Sequence, residues 1–108
     1  MDEQEFLTLA DAQLAALEKA LDALLEAGEP EFDIDIKPGG VMELEFDDGS
    51  KIIVNRHAAA REIWIAARSG GFHFRWDGEQ WVGTRDNEEL RKVLARCMSE
   101  QSGQVVTL

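Results

Sequence analysis

The spacing of apolar residues changes period twice along this chain, and that change confines it to very few folds. Between residues 3 and 27, Phe6, Leu9, Ala10, Leu14, Leu17, Leu21 and Leu24 recur on one stripe at helical spacing. Asp2 with Glu5 resembles a capping box at the start of that helix, and Gly28 and Pro30 stop it. The period then drops to two. Phe32, Ile34 and Ile36 alternate with Asp33 and Asp35, and Met42, Leu44 and Phe46 alternate with Glu43, Glu45 and Asp47. Pro38-Gly39-Gly40, Asp48-Gly49, Gly70-Gly71 and Asp77-Gly78 read as turns between strands. Strands are expected at Lys51–Asn55, 61–67, Phe72–Trp76 and Glu79–Val82, with a loop at Arg56–Ala60. Helical spacing returns over 87–101, where Leu90, Val93, Leu94, Cys97 and Met98 form the stripe and Asp86 with Glu89 suggests the cap. The tail Gln104–Leu108 packs back or frays.

A helix, six antiparallel strands and a second helix predict an α+β fold, a two-layer α/β sandwich in the order α-β-β-β-β-β-β-α. Each helix has one apolar stripe to bury, and one face of the sheet can take both, leaving the other face in water. The 108 residues are expected to form a single domain, 1–108.

Charge is divided almost in two at Asp48. Residues 1–48 carry 15 Asp and Glu against 2 Lys, and residues 49–108 carry 7 against 9 Lys and Arg. A net charge of −11 opposes nucleic acid and anionic lipid and favours cations and basic surfaces. The apolar content of 44% fits a globular chain, so the charge does not imply disorder. No apolar run is long enough to span a bilayer, the start does not read as a secretory signal, and one cysteine excludes an internal disulfide. A soluble, reduced, cytoplasmic setting is expected.

On a helical wheel Asp11, Glu18, Asp22, Glu26 and Glu29 share one sector, roughly 120° from the leucine stripe. They would run along the rim of the helix beside the sheet, and Glu31, Asp33 and Asp35 continue the row onto the first strand. Lys19 and Lys37 are the nearby cations that could neutralise it. Such a row offers oxygen ligands suited to hard cations such as Fe³⁺, Ca²⁺, Mg²⁺ or Mn²⁺, without a preformed cage. A solvated charged face is the plainer account of the same residues.

In the fourth strand Ile63 and Ile65 share one phase, which sends Trp64 to the open sheet face beside Ile53 and Asn55. Tryptophan is enriched among binding hot spots, though it also serves simply to cover sheet surface. Cys97 lies on an apolar stripe and reads as a buried small hydrophobe. His57 in its loop and His73 on the fifth strand have no nucleophile beside them and read as surface residues.

The run Asp48-Gly49-Ser50-Lys51-Ile52-Ile53-Val54-Asn55-Arg56 resembles the third-strand motif of the frataxins. Glu62-Ile63-Trp64-Ile65-Ala66, followed by Ser69-Gly70-Gly71-Phe72-His73-Phe74, resembles the motif after it. Glu5-Phe6 with Leu9-Ala10-Asp11 is similar to the first helix of the bacterial branch. The resemblance implies a non-enzymatic iron-binding protein of iron–sulfur cluster assembly, weakly binding Fe²⁺ or Fe³⁺. It implies two partners, the cysteine desulfurase and the iron–sulfur scaffold protein, and a monomer when iron is absent. Carried over by residue, the iron ridge is Glu18, Asp22, Glu26, Glu29, Glu31, Asp33 and Asp35, with Asp11 as an extension. Partner contact falls on Glu18, Asp22, Asn55 and Trp64.

The chain departs from the family pattern at Lys19 and Ala23, where acids are common, at Leu7, and at His57, where glutamine is common. Residues 25–31 carry a short insertion that includes Pro30. Two other readings compete with the regulator: an iron donor or store with weak ferroxidase activity, and an acidic binding module with no metal role.

Overall fold

The computed structural model describes all 108 residues, and its element order is the expected one. Helix α1 spans Glu3–Ala27; strands β1 to β6 span Phe32–Lys37, Val41–Phe46, Lys51–His57, Glu62–Ala67, Gly70–Trp76 and Trp81–Gly83; helix α2 spans Leu90–Ser102. The strands form one antiparallel sheet in sequence order, β1-β2-β3-β4-β5-β6. Every strand is joined to its neighbour by a short connection, so no crossover is needed.

Both helices lie on one face of the sheet. Asp2 accepts a hydrogen bond from the Glu5 N–H at 2.8 Å, and Gly28 closes α1 in the left-handed conformation at φ 77°. Phe6, Leu17 and Leu21 of α1 are fully buried against Leu44, Ile52, Ile63 and Phe74 of the sheet and Leu90, Leu94 and Met98 of α2. Phe6 meets Trp81 edge to face at 5.9 Å, and Trp81 meets Trp76 at 5.6 Å. No helix is long and apolar enough to cross a membrane.

Several boundaries differ from expectation, each for a local reason; β4, for one, begins at Glu62 because Arg61 is left-handed at φ 55°. β3 runs on to His57, because Arg56 pairs with Ile63 and His57 with Glu62; these residues are strand and not loop. Gly70 and Gly71 belong to β5, paired with Ala67 and Ala66, so the turn sits at Arg68-Ser69 instead. β6 begins at Trp81, because the Asp77 carboxylate accepts from the N–H groups of Glu79 and Gln80 at 2.8 Å and holds them in the turn. α2 begins at Leu90 with Glu89 as its cap, accepting from the Lys92 N–H at 3.1 Å. Asp86 caps nothing helical; it accepts from Glu88, and Asn87 at φ 59° lies outside helical geometry.

One tie was invisible in the sequence. Gln101 is buried, yet its amide is fully used. It donates to Ser50 Oγ at 2.9 Å and to the Lys51 carbonyl at 3.2 Å, and it accepts from the Arg68 N–H at 3.0 Å. It thus pins the end of α2 to β3 and to the β4–β5 turn. The tail packs back: Val106 is buried and its N–H donates to Ser99 Oγ at 2.9 Å.

Candidate functional site

Alternation along β1 to β5 decides which side chains reach the open face. Ile52, Val54 and Arg56 of β3 point to the helices, so Ile53, Asn55 and His57 point away. By the same rule the open face carries Asp33, Asp35 and Lys37 on β1, Glu43 and Glu45 on β2, Glu62 and Trp64 on β4, and His73 and Arg75 on β5. It is acidic at the β1 edge and aromatic in the middle.

The acidic rim follows the helix as expected. Asp11 and Glu18 border a groove of about 250 Å³ between α1 and the β1–β2 hairpin, with Ile36 and Lys37 on its far wall. Asp22 and Glu26 are exposed further along the helix, and Glu29, Glu31, Asp33 and Asp35 carry the row round the sheet edge. Glu18, Asp22, Glu26, Glu29, Glu31, Asp33 and Asp35 make no ion pair. Asp11 differs from the rest of the row. It is paired with Arg56, whose side chain passes so close to Gly40 that a Cβ there would lie 2.6 Å from it. The neutralising cations are therefore not those expected from sequence position. Arg56 arrives from β3, Lys37 turns to Glu43 at 2.6 Å, and Lys19 makes no ion pair.

Further carboxylates join the rim near the C-terminal ends of the two helices. Glu29, Glu31, Asp47 and Asp48 line one recess of about 290 Å³ together with Gln101, Ser102 and Gln104. An adjoining groove of about 450 Å³ adds Asp33 and Glu45. Both helices reach this region with no basic residue in their last turn, so their C-terminal carbonyls add to the negative field. Only Asp48 is compensated: hydrogen bonding by Ser50 and the Arg68 guanidinium at 2.9 Å hold its carboxyl below the usual range. Glu45, Asp47 and Asp48 are absent from the row read on the helical wheel, because a hairpin brings them there and a helical period does not reveal it. No three His, Cys, Asp or Glu side chains converge closely enough to hold one ion. The rim offers separate carboxylates and no preformed cage.

Beside the acidic edge, Glu43 is clamped between Lys37 and Lys51 at 2.6 and 2.7 Å. Hydrogen bonds from Lys37 and then Lys51 hold its carboxyl at about 2, well below the usual 4.5.

Trp64 does reach the open face, half-buried and paired across strands with Asn55 on one side and His73 on the other. Asn55 directs its amide at the Arg56 carbonyl, 3.2 Å away. His57 and His73 are surface residues as expected, half-buried and exposed respectively, and His57 lies on β3 and not in a loop. Beyond that expectation, they stack on Trp64, with ring centroids at 3.9 and 4.4 Å and planes within 13° and 11° of parallel. The signal was available in the strand register, and placing His57 in a loop concealed it. Cys97 is buried with Ser69 Oγ at 3.9 Å, and burial pushes its thiol up, the wrong direction for a nucleophile.

A two-helix sandwich on one six-stranded antiparallel sheet in this order is a known class of protein. Over 99% of this chain and 97% of the other, it superposes on the frataxin of Psychromonas ingrahamii with a TM-score of 0.80 at 26% identity. It also matches trimeric yeast frataxin, from a structure complexed with ferrous iron, over 88% of this chain and 86% of that one, with a TM-score of 0.75 at 27% identity. The family model of the frataxin-like domain matches residues 1–104, and this chain belongs to that family. The iron-sulfur cluster assembly protein CyaY of Dechloromonas aromatica is 54% identical over 108 residues, covering 100% of this chain and 99% of that protein. The CyaY of Cupriavidus metallidurans is 50% identical, covering 100% and 96%.

Proposed function

We propose that this chain is an iron-binding regulator of iron–sulfur cluster assembly, acting by binding and not by turnover. The observation that carries this reading is the run of seven unpaired carboxylates from Glu18 to Asp35, continuous round the sheet edge with the face that holds Trp64. Separate, hydrated carboxylates suit hard cations held weakly at several points, and ferrous or ferric iron is such a cargo. The same field steers a basic protein surface onto the rim. The partners proposed are the cysteine desulfurase and the iron–sulfur scaffold protein, met in the cytoplasm by a monomer. The names of the relatives and the ferrous complex of the yeast protein support this reading.

Iron on the rim would reduce the negative field, which gives a physical route from iron level to partner affinity. The test is a titration of purified cysteine desulfurase into the labelled protein, with and without ferrous iron, followed by amide NMR. Shifts confined to Glu18–Asp35 and the strands around Trp64, and altered by iron, are expected. Broadening along the rim with iron alone, and no response to the desulfurase, would replace the regulator with an iron carrier or store. Oxygen consumption well above that of a carboxylate-rich control would favour ferroxidase activity.

A further inference from the structure

The stack on the open face has a consequence for how Trp64 meets a partner. His57, Trp64 and His73 stand on three adjacent strands, and their rings are parallel at 3.9 and 4.4 Å. Neighbouring strands lie about 4.8 Å apart. The ring normals therefore run from strand to strand, and the rings stand upright on the sheet with their edges outward. Both π faces of the indole are already covered from within the chain.

The third contact fixes the ring along its remaining freedom. Trp64 Nε1–H donates to Glu62 Oε1 at 2.7 Å, and His73 Nδ1 lies 3.6 Å from the same oxygen. His57 is itself held, because its Nδ1 accepts from the Ala60 N–H at 3.3 Å in the turn that follows β3. Three groups from three strands thus converge on one side chain, and a turn holds one of the three in place. Ordinary sheet coverage requires no such convergence, and an isolated indole on an open face would exchange rotamers freely.

We propose that His57, His73 and Glu62 are positioning residues that present Trp64 edge-on to its partner, so that the partner receives it in a narrow apolar cleft. A flat stacking platform, such as an exposed arginine or aromatic ring, would find neither face of the indole free. The inference rests on the docking role proposed for this face and specifies its geometry. Pre-organisation of this kind raises affinity by removing the ordering cost of the anchor.

Two readouts test it together: the indole N–H signal of Trp64, assigned by its loss in Trp64→Phe, and affinity for the cysteine desulfurase. In the His57→Ala/His73→Ala double variant the indole signal should shift and broaden, and affinity should fall about tenfold. Replacing both histidines by phenylalanine rebuilds the stack and should restore most of the affinity. Glu62→Gln keeps an acceptor for Nε1–H and should bind like the parent, whereas Glu62→Ala should not. The single histidine variants ask the same question if the double variant does not fold. A Trp64→Ala variant separates the two levels of the argument. If it binds as well as the parent, the docking reading fails. If it binds poorly while the double alanine variant keeps its affinity, with or without a change in the indole signal, docking stands and positioning is overturned.

Discussion

The acidic rim and the aromatic face lie side by side on one small molecule and are built on opposite principles. The rim is charge with little geometry. Its carboxylates are exposed apart from half-buried Glu18, mostly unpaired and nowhere convergent on one ion. The face is geometry with little charge: a tryptophan held between two rings and tethered by one carboxylate. A loose array of charges acts at a distance and is screened by salt, whereas a fitted side chain acts on contact and is not. A molecule with both can be steered first and seated afterwards. Between the two lies the Lys37–Glu43–Lys51 cluster, which neutralises the sheet just where the acidic edge gives way to the aromatic centre.

The largest effect should come from beneath both regions. Leu17 is fully buried in the core that supports the rim helix against the sheet. Leu17→Ala should lower unfolding free energy by about 3 kcal/mol in a urea titration. Rim and face should lose order together; independent melting would show that they are not one cooperative unit.

Next in size is Trp64→Ala, which should weaken desulfurase binding by about 2 kcal/mol while changing the melting temperature far less than Leu17→Ala does. The loss should be the same at low and high salt. A melting shift equal to that of Leu17→Ala would make Trp64 a structural residue and erase the contrast.

Charge reversal on the rim should behave oppositely. Glu18→Lys with Asp22→Lys should reduce desulfurase affinity about tenfold at low ionic strength and hardly at all in about 0.5 M salt. Unchanged affinity at low salt would remove the rim from the docking surface.

The smallest effect concerns the boundary. The Glu43 carboxyl is held at about 2 against an ordinary 4.5. A depressed carboxyl adds stability that is fully present above pH 4.5 and is lost as pH falls through about 2. Denaturant midpoints between those limits should fall more steeply for the parent than for Glu43→Gln. Parallel curves would show that the lysine clamp carries no linked stability.

How much of this was legible beforehand differs between the two regions. The helical strip Asp11–Glu26 could be drawn from spacing alone, because residues on one helix share a period; Glu29, placed in the same sector, lies past the left-handed Gly28 cap and off the helix. Arg56 crossing to Asp11 could not, since its partner lies on a different element across a sheet–helix packing that no local pattern encodes. The same holds for Glu45, Asp47 and Asp48, which a hairpin turns toward the end of α1, and for Gln101, whose bonds reach back to Ser50 and Lys51. Trp64 could be assigned to the open face by alternation. Its two flanking rings required the register of β3 with β4 and of β4 with β5, and ending β3 two residues early removed one of them.

Sequence alone determined the helix–sheet–helix order, the shared apolar faces and the sign of the rim, because each depends on local periodicity or on charge, which any fold must expose to water. Tertiary structure alone decided which cations meet which carboxylates, how the two helix ends and the hairpin pool their negative charge, and that Trp64 stands between two histidines. Those are contacts between elements, and they exist only once the strands have taken a register and the helices have settled on one face.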